Sequence, residues 1–209
     1  GRNKDRALSN TALFEVGAAY HTSYPQKQEM RIAGVRTDSY APRHWLNKER
    51  SVDLYDAKAD LFSTLESCGI NTDKLQIKPK APSFFHPGRS GTVYQGPKNI
   101  LGVFGELHPQ VLEDLDVEGT FVGFELYLDR LPISKESHKK KLLKLSSLQP
   151  IHRDFAFLLD KDVNTGSLLQ AAKKVDKKLI TEATIFDVYE GKGIPEGKKS
   201  IALTVTFEP

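Results

Sequence analysis

Cysteine, methionine and tryptophan each occur once in the 209 residues. The lone Cys68 has no internal partner, so no disulfide staples the fold, and a reducing, cytoplasmic setting is expected. No run approaches the ~18–20 apolar residues that a membrane helix needs, so no membrane partner is expected. The opening GRNKDRALSN is polar and lacks the apolar core of a secretory signal. Metal-ligand spacing is missing too. The histidines at 21, 44, 86, 108, 138 and 152 form no HxxxH pair, and one cysteine adds no second ligand. No metal site is expected. No catalytic residue is assigned, because no Ser/His/Asp pattern is tied to a nucleophile elbow. The glycine-rich stretch from Gly191 to Ser200, GKGIPEGKKS, invites comparison with a phosphate loop. It fails on count, since only three residues separate Gly193 from Gly197 and Lys199 intervenes before Ser200. It fails on context, because a strand and not a helix follows. It reads as a basic β-hairpin.

What is present is a 39% hydrophobic, 9% aromatic chain, enough for a real core in one large or two small domains. The net charge of +3 is unevenly spread. Ser134 to Lys199 holds 14 Lys/Arg against 9 Asp/Glu, whereas the 133 residues before it hold 16 against 17. The basic excess fits either a solvated surface or attraction to a polyanion, nucleic acid first.

In the first half, Thr11 to Tyr20 is apolar and β-prone, and Glu29 to Arg36 alternates as a half-buried strand does, so an antiparallel pair is expected. Ser51 to Cys68 has the 3.6-residue period of a helix, with Leu54, Ala57, Leu61, Phe62, Leu65 and Cys68 on one face. Ser51 is its expected cap, Gly69 its stop, and Cys68 a core residue. Short strands follow over 75–80, 91–95 and 100–106, with turn residues at Gly96 to Asn99. A short helix spans Pro109 to Leu115. In Thr120 to Asp129, Val122, Phe124, Leu126 and Leu128 form the expected buried face. His86 and His108 sit in turns and read as structural histidines. The sum is an α+β domain built on a mostly antiparallel sheet.

Pro132 to Lys144, PISKESHKKKLLK, is polar and strongly basic and reads as a linker, either solvated or contacting phosphate. Beyond it, Arg153 to Leu159 alternates as a strand. Asn164 or Thr165 opens a helix with Leu168, Leu169, Ala172, Val175 and Leu179 on one stripe and Lys173, Lys174, Lys177 and Lys178 off it. Strands follow at Ala183 to Tyr189 and Ser200 to Phe207. The last turns Ile201, Leu203, Val205 and Phe207 to the helix and Ser200, Ala202, Thr204 and Thr206 away, leaving an open polar face. The order β-α-β-β is the first two-thirds of a ferredoxin-like βαββαβ unit, and a second helix and a fourth strand are expected beyond Pro209.

Several motifs together resemble one family. PxxRDFAF at Pro150 to Phe157 and FDVYEGKGIPEGKKS at Phe186 to Ser200 resemble the ferredoxin-fold anticodon-binding domain of phenylalanyl-tRNA synthetase. LFEVG at Leu13 to Gly17, HPGRSG at His86 to Gly91, GxxGELHP at Gly102 to Pro109 and FELYLD at Phe124 to Asp129 resemble the catalytic-like domain of the same family's bacterial β subunit. One departure is the loop before Arg153, where Gln149 precedes Pro150 and only Ile151 and His152 separate that proline from Arg153. The resemblance implies a class II synthetase-like but non-catalytic domain over 1–131, a basic linker over 132–145 and an incomplete anticodon-binding domain over 146–209. It also implies a parent (αβ)2 heterotetramer, with an α subunit holding the synthetic site, that ligates phenylalanine to its tRNA using ATP and magnesium. This part itself would carry no cofactor and would contact the anticodon stem-loop of tRNA-Phe. A ferredoxin-like structural or ligand-binding regulatory module without RNA binding is the competing expectation.

RNA bases are read by stacking on aromatic or guanidinium planes while cations hold phosphates. On that chemistry the candidate contacts are Arg153, Tyr189, Lys192, Lys198, Lys199 and Ser200. Each has a plainer reading: Tyr189 as a half-buried edge residue, the lysines as solvated cations, Arg153 and Asp154 as members of an ion-pair network with strand neighbours such as Asp187.

Overall fold

The computed structural model describes residues 6, 10–20, 28–46, 48–132 and 148–208. The expected linker at 132–145 lies outside them apart from Pro132. The chain divides into two compact units, Gly1–Glu136 and Ser137–Pro209.

The first unit is a six-stranded antiparallel sheet of β1 (Ala12–Tyr20), β2 (Gln28–Thr37), β3 (Gln76–Lys78), β4 (Phe85–Gln95), β5 (Asn99–Leu107) and β6 (Phe121–Tyr127), in the order β1-β2-β6-β5-β4-β3. The expected pair of β1 and β2 forms, with Phe14 opposite Gly34 and Val16 opposite Ile32. Helix α1 (Leu54–Ser67) lies across one face. Its Ala57, Leu61 and Leu65 close over Val93, Leu101, Phe104, Val122, Phe124 and Leu126. Each such leucine taken out of water contributes about 1.5–3 kcal/mol. Phe85, Val103 and Tyr127 build a second cluster. Strand β6 therefore buries Tyr127 as well as the expected Val122, Phe124 and Leu126.

Two local expectations for α1 are corrected. Its N-cap is Asp53, not Ser51. The Asp53 carboxylate accepts from the Tyr55 and Asp56 amides, and the Asp56 side chain accepts from the Asp53 amide in return. Ser51 is occupied in a bridge with Ser39. Cys68 is exposed: it is the C-cap, its amide still donating to the Thr64 carbonyl at 3.1 Å. Gly69, at φ +80°, then turns the chain so that Ile70 takes the buried place.

The two His-Pro motifs differ: His86 to Arg89, expected as a turn, lies within β4 at an irregularity of its pairing between Phe85 and Ser90, whereas His108 stands at the start of a helix. The Nδ1 of His86 accepts from the Gly88 amide, and that of His108 accepts from the Gln110 amide, capping α2 (Pro109–Asp114). Gly105 beside them sits at φ +158°, where a Cβ would meet the Arg89 carbonyl oxygen at 2.7 Å.

The second unit has β7 (Ile151–Asp160), α3 (Thr165–Val175), β8 (Ile180–Tyr189) and β9 (Lys198–Phe207). Strand β9 lies between β7 and β8 and is antiparallel to both, so β7-α3-β8 is a split βαβ and the order is that of a ferredoxin-like fold. Asn164 caps α3. Leu168, Leu169 and Ala172 pack on Ala183, Leu203, Val205 and Phe207, as the alternation of β9 requires. Val175 departs from the expected stripe and is 80% exposed. The helix ends there, and the Asp176 carboxylate accepts from the Lys178 and Leu179 amides to start the turn into β8.

Candidate nucleic-acid interface

The face of the second sheet away from α3 carries the feature that matters. Register places Ser200, Ala202, Thr204 and Thr206 of β9 there. Beside them stand His152, Asp154, Ala156, Leu158 and Asp160 of β7 and Glu182, Thr184, Asp187 and Tyr189 of β8. Tyr189 is directly opposite Ser200, and Asp187 is opposite Ala202 one step along. A shift in register between Ile185 and Asp187 brings Asp187 and Tyr189 to this side together. Tyr189 is 46% exposed, and its hydroxyl donates to the Lys192 carbonyl at 3.2 Å across the hairpin. Gly191 lies beneath it: a Cβ there would meet the Tyr189 oxygen at 2.8 Å. The ring is thus held at the root of the hairpin with its plane available.

The remaining candidate residues separate. Lys192 is exposed on the hairpin. Lys198 shares the open face and reaches Asp160 at 2.7 Å, an exposed pair. Lys199 faces the other way. Its ammonium donates to the carbonyls of Lys161 and Val163, both at 2.8 Å, and so fastens the β7–α3 loop. Arg153, opposite Val205, is on the α3 side of the sheet. The expected pairing of Arg153 with Asp187 is therefore not formed, because the two lie on opposite faces with β9 between them. Asp154 instead accepts from the Thr204 hydroxyl at 2.6 Å. Asp187 shares a face with Tyr189 by strand alternation; what residue type does not show is the register shift that turns this pair to the side of Ser200 and Ala202. The site gathers a stacking plane, a hydroxyl and an acceptor-only carboxylate on one surface, with cations at its hairpin end.

In the first unit, two guanidiniums on one face of the sheet are engaged by carboxylates. On its face away from α1, Arg31 donates to Glu29 and Glu125, and Arg130 donates to Glu29 at 2.5 Å. Both guanidiniums lie over the Tyr127 ring, at 4.8 and 4.2 Å. These two cations are already neutralised by carboxylates, so this cluster does not fit a triphosphate.

Fold and site define a two-unit α+β protein whose second unit is a ferredoxin-like sheet with one open polar face. The family model described as "Phenylalanyl tRNA synthetase beta chain CLM domain" matches residues 1–128, and that of the "Ferredoxin-fold anticodon binding domain" matches 146–209. The chain belongs to the phenylalanyl-tRNA synthetase β-chain family. It is 47% identical over 213 residues to the phenylalanine–tRNA ligase beta subunit of Bradyrhizobium diazoefficiens, covering 99% of this chain and 26% of that protein. It is 46% identical to that of Paramagnetospirillum magneticum, covering 100% and 26%. The chain therefore spans about a quarter of the length of these relatives. A pyrrolysyl tRNA synthetase of Desulfitobacterium hafniense superposes at a TM-score of 0.43 over 62% of this chain and 42% of its own, with 15% identity, too loosely to bear on the fold.

Proposed function

We propose that this chain serves as part of a phenylalanine–tRNA ligase beta subunit, binding the anticodon region of tRNA-Phe with its second unit and supporting assembly with the alpha subunit with its first. On this reading the parent enzyme is a cytoplasmic (αβ)2 heterotetramer that uses ATP and magnesium. The domains run 1–131 and 146–209, joined by a basic linker at 132–145, and the chain itself is non-catalytic.

The observation that carries the reading is Tyr189 at the hairpin root, sharing one open face with Ser200 and Asp187. A splayed base stacks on the ring. The hydroxyl serves any polar base edge, and the carboxylate, which only accepts, favours an edge that donates. Lys192 and Lys198 meet phosphates at the hairpin end. Arg153 and Lys199, on the α3 side of the sheet, support the unit and do not touch that RNA. The test is tRNA-Phe affinity of the complete ligase carrying Tyr189→Ala and Tyr189→Phe. Stacking predicts a loss of about 1–3 kcal/mol for alanine and near-normal affinity for phenylalanine; equal affinity for the alanine variant would refute it. A regulatory module binding a small metabolite would need an apolar pocket between paired domains, whereas this face is polar and charged.

A further inference from the structure

The arm of residues 190–197, between β8 and β9, is held from within and from outside. Within it, the Ile194 amide donates to the Gly191 carbonyl at 3.0 Å, and the Lys198 amide closes the far end on the Pro195 carbonyl at 3.1 Å. From outside, the loop between β7 and α3 reaches both ends of the arm. The Lys161 amide donates to the Gly197 carbonyl at 3.0 Å, and the Lys161 ammonium pairs with the Glu190 carboxylate at 2.9 Å. Lys161 follows β7, Glu190 follows β8, and β9 lies between those strands, so this one residue ties all three together. Lys199 secures the loop in turn, because its ammonium holds the Lys161 and Val163 carbonyls.

We propose that Lys161, Glu190 and Lys199 are positioning residues for RNA binding: they brace the arm that carries Lys192 and anchors Tyr189, and they do not touch the RNA. The inference rests on the reading of the open face as an anticodon-binding surface. Glu190 and Gly197 are the first and last residues of the arm, so ties at these two points set its angle to the sheet, whereas its internal turns set only its shape. An arm already held at its binding angle loses less freedom when RNA arrives. Charge argues against direct contact. The Lys161 ammonium is already paired with a carboxylate. Glu190 is exposed beside Tyr189, where a negative charge repels phosphate and works against binding unless it holds the arm.

The two accounts of Glu190 differ in sign, and that is the test. In the complete ligase, Glu190→Gln removes a negative charge, so repulsion alone predicts tighter binding of a tRNA-Phe transcript. The brace predicts binding weaker by about two- to fivefold, the range of an exposed ion pair. Lys161→Glu combined with Glu190→Lys rebuilds the pair and is expected to return affinity to that of the parent. Lys199→Ala is expected to weaken binding by about two- to tenfold at an unchanged salt slope. Hydrogen exchange of the RNA-free Glu190→Gln ligase separates positioning from general support. The brace predicts faster exchange over residues 191–198 with β7 and the rest of β9 unchanged; faster exchange throughout the second unit overturns it. Equal or tighter binding by Glu190→Gln also overturns it. If Tyr189→Ala weakens binding and Glu190→Gln does not, the brace alone falls; if Tyr189→Ala binds as the parent does, the anticodon reading falls and the brace with it.

Discussion

Lys198 and Lys199 are neighbours in sequence and opposites in structure. Lys198 makes one exposed ion pair, of a kind worth at most about 1 kcal/mol. Lys199 satisfies two carbonyls of a loop. Lys199→Ala removes that donor from both part-exposed carbonyls and is expected to destabilise the second unit by about 0.5–1.5 kcal/mol, while Lys198→Ala stays within about 0.5 kcal/mol of the parent. Urea unfolding of the two variants checks this, and equal midpoints would contradict it. Asp56 allows a second test. Its hydrogen bonds from Arg50 hold the carboxyl below the usual carboxylate range. A depressed folded pKa contributes stability that is present above the unfolded value of about 4 and lost as pH falls through the folded one. Asp56→Asn is therefore expected to lower Tm near neutrality and to converge with the parent as pH falls through the depressed folded value. A constant gap across that range would mean that the ion pair is not its source.

At the scale of elements, the sequence showed most strands and both longer helices, because periods of 2 and 3.6 are written in residue type. The ends were less legible. α1 begins at Asp53 because Ser51 is taken by a bridge to Ser39, a contact formed only once the loop closes. Cys68, the C-cap of α1, and Val175, the last residue of α3, continue apolar stripes in sequence but stand at helix ends and are exposed. In the candidate site, Tyr189 and Ser200 were legible from an alternating strand beside a basic hairpin. The facing of Arg153 and Lys199 follows from alternation with Phe155 and Ile201 and was there to be read, whereas that of Asp187 depended on a shift in pairing register, which residue type does not encode. Gly105 explains part of the GELHP motif: it sits where the carbonyl of Arg89 and the backbone of Ser90 crowd β5. Gly105→Ala should cost about 1–3 kcal/mol through displaced backbone, measurable as a lower unfolding midpoint, and an unchanged midpoint would show that the strands yield freely.

For the whole molecule, charge sets how RNA would approach on the proposed reading. The open face of the second sheet carries Asp154, Asp160, Glu182 and Asp187 against Lys198 and His152, so phosphates would be repelled from its middle and bases admitted. The proposal puts the RNA backbone at the hairpin end, by Lys192 and Lys198. Each phosphate contact contributes about 0.7–0.9 to the slope of log affinity against log salt. Lys192→Ala combined with Lys198→Ala in the complete ligase should therefore lower that slope by roughly one to two units and weaken tRNA-Phe binding most at low salt. Lys199→Ala, whose ammonium is turned to the β7–α3 loop, should leave the slope unchanged. A salt titration in which the double variant parallels the parent would place the phosphates elsewhere, and the lysines of α3 (Lys173 and Lys174), with Lys177 and Lys178 after it, are then the next cations to remove.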